Sequence, residues 1–233
     1  MKYKHQVQIL QYGGSGHISC GGSVYKRNIV ISAGHCCNAI KNSIDSGLDF
    51  MSDFSVKAGT VDISIQKYKG QIIELKNFTI HPNFSFSSPA AFYDVCVILL
   101  NGEFVANVTE ISLEKSSVAH FNDHCYITGW GSTKVCILIN QNILNFPAPF
   151  KTAGKFKFLK IFQEMHHPNF LHYAYLPIVH ENICENILGK ENFDRLTMIC
   201  AGGSVTKFSY LRIFKLKPFF REFQFAMEIL EVL

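Results

Sequence analysis

Cys20-Gly-Gly-Ser-Val-Tyr-Lys-Arg-Asn-Ile-Val-Ile-Ser-Ala-Gly-His35-Cys36 is the stretch on which the fold turns. It reads as a strand pair that sets Cys20 and Cys36 across from each other and places His35 at the end of the second strand. Outward from it run further short apolar stretches: Gln6 to Leu10, Gly70 to Glu74, Val95 to Leu100 and Cys125 to Thr128. Gly, Asn, Ser and Pro separate them, the pattern of an all-β sandwich or barrel. The strand before Ser32 is apolar on both faces and Val95 to Leu100 is an unbroken apolar run, so both are expected in the core.

With 233 residues, 48% hydrophobic and 17% charged, the chain is long enough to bury a substantial core. Its 22 basic and 18 acidic residues give a formal charge of +4 with no Lys/Arg block. That distribution argues against nucleic acid as a partner. No apolar run approaches the roughly 20 residues of a membrane-spanning helix, so no membrane association is expected. Met1 to His5 leads into no apolar h-region, and no signal peptide is expected in this chain.

Eight cysteines, at 20, 36, 37, 96, 125, 136, 184 and 200, include no CxxC pair. Disulfides in an oxidising compartment are the natural reading. Three glycosylation acceptors, Asn77-Phe-Thr, Asn83-Phe-Ser and Asn107-Val-Thr, agree with a secreted, extracellular chain.

The opening stretch resembles the chymotrypsin and trypsin family of serine endopeptidases. Cys20 and Cys36 stand 16 residues apart, and the resemblance implies that they pair and that His35 is the catalytic histidine. Tyr93-Asp94-Val-Cys-Val-Ile-Leu-Leu100 lies 59 residues beyond His35 and resembles the segment carrying the family's buried aspartate. Such an aspartate fixes the imidazole tautomer and stabilises the imidazolium formed when the serine is deprotonated. Cys125-Tyr-Ile-Thr-Gly-Trp-Gly131 is similar to the Gly-Trp-Gly segment opening the family's second barrel, and His81-Pro-Asn-Phe84 to a family turn. Tyr175 to Val179, Cys184 and Met198 to Gly202 resemble the strand, intermediate helix and loop that hold another bridge, implying Cys184–Cys200.

The resemblance implies an all-β, two-barrel chymotrypsin-like architecture with the first barrel largely complete and the second truncated. It also implies a monomer acting on protein or peptide substrates without a cofactor. Where the family's calcium loop falls, Thr60, Asp62 and Gln66 offer one carboxylate, so no metal is expected there. Cys37 and Cys96 flank His35 and Asp94 and form a further candidate pair, while Cys125 is left unpaired or linked to Cys136; connectivity stays open.

The pattern fails at the nucleophile. Where Gly-Asp-Ser-Gly-Gly-Pro and its preceding cysteine should lie, the chain has Ile213 and Ser209. No nucleophilic serine is identifiable. Ser204 follows two glycines but stands too close to Cys200 and is assigned to a loop. The oxyanion hole and the primary specificity pocket belong to the same family segment. The amino end likewise lacks the Ile-Val-Gly-Gly terminus of an activated zymogen.

Two stretches differ in style. In Val135 to Gln163, 16 of 29 residues are Phe, Lys, Ile or Asn, and Phe208 to Leu233 is similar. They read either as a surface insertion and a C-terminal amphipathic helix or as translated intron. The organisation expected is one peptidase-like unit over 1–233: a first barrel over 4–120, a partial second over 121–207 interrupted at 135–163, and a divergent tail over 208–233. Two functions follow: a trypsin-like serine endopeptidase inactive as written, or a non-catalytic homologue that binds proteins.

Overall fold

Alternating small and β-branched residues with glycine at the crowded points is what a closed barrel requires, because each strand must turn one face inward along its whole length. The computed structural model describes residues 3–12, 20–63, 70–87, 90–113, 123–131, 168–202, 211–214 and 224–226. In chain order the first elements are β1 (Gln6–Gln11), β2 (Cys20–Lys26), β3 (Ile29–Ser32), helix α1 (Gly34–Asp45), β4 (Phe54–Ala58), β5 (Gln71–Ile80), β6 (Ser85–Ser87), β7 (Ala90–Phe92) and β8 (Cys96–Leu100). They are followed by β9 (His124–Gly129), β10 (His172–Pro177), helix α2 (Glu181–Leu188), β11 (Ile199–Gly202), β12 (Leu211–Phe214) and β13 (Gln224–Ala226).

Six strands close into a barrel in the order β1-β2-β3-β8-β5-β4, with β4 returning to β1 through Val7↔Ala58 and Ile9↔Val56. Val7, Ile9, Val24, Val30, Phe54 and Ile98 fill its interior, all at 0% exposure. Each such side chain contributes about 1.5–3 kcal/mol by leaving water. Gly22 sits where the wall is tightest: a Cβ there would lie 2.8 Å from Val30 Cγ1 and 2.9 Å from the Ile31 carbonyl oxygen. β8 departs from the continuous burial expected of it. Ile98 and Leu100 point inward, whereas Val97 is 43% exposed, because a closed barrel gives every strand an outer face.

Beyond the barrel, β9 is flanked by β10 (antiparallel) and β13 (parallel), and β11 pairs with β12. Cys125, Ile127, Ile178, Ile199 and Ala201 form a small second core. The helix read over the tail is replaced, among the described residues, by the short strands β12 and β13. The stretch 135–163 lies outside the described residues. Backbone bonds join this half to the barrel: Ile63 N–H to the Asn169 carbonyl at 2.9 Å and Leu171 N–H to the Val61 carbonyl at 2.7 Å. Trp130 Nε1–H also donates to the Val61 carbonyl, at 3.1 Å, and Thr128 Oγ1 bonds Gln6 Oε1.

Among the described residues three disulfides are present: Cys20–Cys36, Cys37–Cys96 and Cys184–Cys200. The second closes a 59-residue separation against 16 for each of the others, so chain entropy assigns it the largest share, about 4 kcal/mol against about 3. Replacing Cys37 and Cys96 together by serine should therefore lower unfolding stability by about 4 kcal/mol, measured by urea denaturation. An unchanged midpoint would remove the bridge from the stabilising interactions.

His5 supplies a second test. It is 3% exposed, and its Nε2 is buried with no hydrogen-bond partner among the described residues. Burial depresses its pKa from 6.5 to about 4. Between those values the unfolded chain takes up a proton that the folded chain refuses, so the associated stability is full above pH 6.5 and lost as pH falls toward 4. The loss amounts to at most about 3 kcal/mol. His5→Phe should flatten this part of the stability curve.

Candidate active site

The site is assembled by two strand ends. β3 and β8 run antiparallel with Ser32 opposite Cys96, so the residues after β3 meet those before β8. Ser32 Oγ–H donates to the Gly21 carbonyl at 2.7 Å, fastening the end of β3 to β2. The chain then enters α1, and His35 stands in its first turn rather than at a strand end as expected from sequence. Helix formation there follows from burying Cys36, Cys37 and Ile40 on one face. No side chain caps the helix. Gly34 is constrained by contact, because a Cβ would lie 2.8 Å from Phe84 Cδ2 and 3.1 Å from the Val95 nitrogen.

Asp94 is held in the turn between β7 and β8, where Val95 N–H bonds the Tyr93 carbonyl at 2.8 Å. Tyr93 adopts φ +50°, a left-handed conformation unusual for a bulky residue. Its ring stacks on His81 at 5.0 Å between centroids. The strained turn aims the carboxylate inward.

Both carboxylate oxygens serve one residue. Asp94 Oδ1 accepts the His35 backbone N–H at 2.8 Å, and Oδ2 lies 2.9 Å from Nδ1 of the same histidine. The aspartate side chain is 3% exposed and the histidine side chain 21%. An ionised carboxylate can only accept, so Nδ1 carries the proton, and in the neutral imidazole the lone pair is then on Nε2. Nε2 lies 3.4 Å from Cys36 Sγ, beside the Cys20–Cys36 bridge. The pair can orient a general base at the barrel rim.

On the other side, Cys184–Cys200 ties α2 to β11. Cys125 is buried and unbridged among the described residues, and burial pushes its thiol up to about 11, which makes it a poor nucleophile at neutral pH. Cys136, Ser204 and Ser209 lie outside the described residues, as does Gln66. Ile213, at the place where the family's serine should stand, is in β12 directly opposite Cys200. Sequence reading missed the backbone bond from His35 to Asp94 and the Tyr93–His81 stack. Neither is announced by residue type, since both arise from a turn conformation.

A six-stranded barrel with a carboxylate-oriented histidine at its rim is the arrangement that the family resemblance leads one to expect. The Trypsin family profile matches residues 2–145, and the chain belongs to that family. Human chymotrypsin-like elastase family member 1 is 27% identical over 199 residues, covering 83% of this chain and 62% of the relative. The rat protein of the same name is 26% identical, with 83% and 60% covered. Trypsin-1 of Astacus astacus is 28% identical over 132 residues, 56% of this chain and 52% of that one. The chain thus spans about three fifths of the elastase-like relatives' length. Among solved structures, neuropsin, a serine protease expressed in the limbic system of mouse brain, aligns with a TM-score of 0.61 at 19% identity. It covers 96% of this chain and 79% of its own.

Asp94→Asn should leave the barrel folded while lowering stability by about 2 kcal/mol, the scale of a charge-assisted hydrogen bond. The amide can donate to Nδ1, so the His35 proton should move to Nε2. Nitrogen NMR of the imidazole reads the tautomer directly. Retention of the proton on Nδ1 would contradict the orienting role.

Proposed function

We propose that this chain is a trypsin-like serine endopeptidase by descent, with His35 as general base and Asp94 as its orienter, and that it does not hydrolyse peptide bonds as written. The observation that carries the reading is the two-oxygen grip of Asp94 on His35. A protein that only bound partners would have no chemical need of a buried carboxylate fixing one imidazole tautomer.

Inactivity is inferred from the segment around residue 213. A triad without its nucleophile has a base with nothing to activate, and loss of a member removes most of the rate. Leu211-Arg-Ile-Phe pairs as a strand with Ile199 to Gly202, so its amides do not form the glycine-rich oxyanion loop of the family. The ancestral substrates would be proteins or peptides. Lys/Arg preference is a family default without support here.

The same reading divides the chain into a first barrel over 4–120 and a partial second barrel over 121–207, with 135–163 as an insertion and 208–233 as a divergent tail. It places the protein outside the cell, in keeping with three disulfides. Asn77, Asn83 and Asn107 are exposed, as glycan attachment requires.

Treatment of the purified chain with a serine-directed fluorophosphonate should give no labelling. Robust labelling mapped to any serine would overturn the inactive reading and identify the nucleophile.

A further inference from the structure

We propose that His81 is a positioning residue for the His35–Asp94 pair: its ring holds Tyr93 in the left-handed conformation that brings Asp94 onto the histidine. The observation behind it is that one short turn, His81 to Phe84, packs against the chain neighbours of both residues.

The turn is stiff for local reasons. His81 N–H donates to the Val95 carbonyl at 3.0 Å, continuing the β5–β8 ladder one residue past Ile80 and Cys96. Phe84 N–H returns to the His81 carbonyl at 2.9 Å, and Pro82 between them has its φ fixed by its own ring. The Asn83 backbone N–H donates to His81 Nδ1 at 3.1 Å, which ties the imidazole to its own turn. The ring cannot swing away without breaking that bond.

Two contacts carry this stiffness to the site. The His81 imidazole lies against the ring of Tyr93, the residue before Asp94, with 5.0 Å between centroids and 12° between planes. Phe84 lies so close to Gly34, the residue before His35, that a Cβ there would stand 2.8 Å from its Cδ2. Histidine and aspartate are thus placed from the same turn, one through each end.

The first contact opposes a conformational preference. Tyr93 has φ +50°, a region that a bulky side chain disfavours and that Asn or Gly accepts. Relaxation of Tyr93 to negative φ would carry Asp94 with it. Oδ1 would be drawn from the His35 backbone N–H and Oδ2 from Nδ1, which now stand at 2.8 and 2.9 Å. The stacked imidazole blocks that relaxation.

The inference rests on the reading of His35 and Asp94 as base and orienter, and its test separates the two. In the full chain the His35 Nδ1 proton is followed by NMR through its exchange with water. His81→Ala should speed that exchange about tenfold, while His81→Phe, which keeps a flat ring, should leave it unchanged. Combining His81→Ala with Tyr93→Asn should restore slow exchange, because Asn accepts positive φ with no ring to hold it. A role for His81 in general packing alone predicts no such rescue. Unchanged exchange in His81→Ala, fast exchange in His81→Phe, or a double variant that stays fast overturns the inference. Should His81→Ala not fold, the double variant carries the test: it should fold and exchange slowly, and failure in either overturns the inference. A His35 proton that stays on Nδ1 in Asp94→Asn brings down the orienter reading as well, whereas a shift there with none in His81→Ala removes His81 alone.

Discussion

The register between β3 and β8 is the constraint on which the rest depends. Ser32 opposite Cys96, with Ile31 opposite Val97, fixes where the chain leaves one strand and enters the other. A slip of β8 by one residue would turn its two faces over relative to β3. Ile98 would turn out of the barrel, and Cys96 could no longer meet Cys37. Asp94 would be displaced from the His35 backbone N–H and from its ring. The barrel core, the long-range bridge and the histidine geometry therefore share one register and fail together.

Much of the first barrel was legible because its signals are local. Alternation in Gln6 to Leu10 and the apolar run closing Asn28 to Ile31 placed strands within a residue or two of β1 and β3. The spacing of Cys20, His35 and Cys36 carried the family resemblance. Less was legible where position depends on distant partners. Helix α1 went unread because Gly34-His-Cys-Cys-Asn is poor in helix formers and lacks a capping side chain; it forms because packing of Cys36, Cys37 and Ile40 outweighs propensity. β5 extends to Ile80 through Lys76 and Asn77, which face solvent and gave no apolar signal.

The second half shows the converse. Its apolar residues divide between two small clusters, one around Ile127 and Ile199 and one around Cys184, Phe193 and Met198. Neither is dictated by a continuous apolar run, and each draws on segments far apart in sequence. The tail's composition reads as an amphipathic helix or as translated intron, whereas pairing of β12 with β11 and of β13 with β9 makes strands of 211–214 and 224–226. For the site, the family resemblance named His35 and Asp94, but it did not give the division of the Asp94 oxygens between backbone and ring.

Cys36 and Cys37 are neighbours on α1, yet one is bridged back to β2 and the other across to β8. A helix turns about 100° per residue, so exchanging their partners would rotate α1 about its axis and carry His35 away from Asp94. The pairing of these bridges is thus tied to the imidazole's orientation: of two isomers with identical composition and bridge count, the one observed aligns the histidine with its carboxylate. A thiol isomerase that sorts these neighbours would determine the geometry of the site without touching either of its residues.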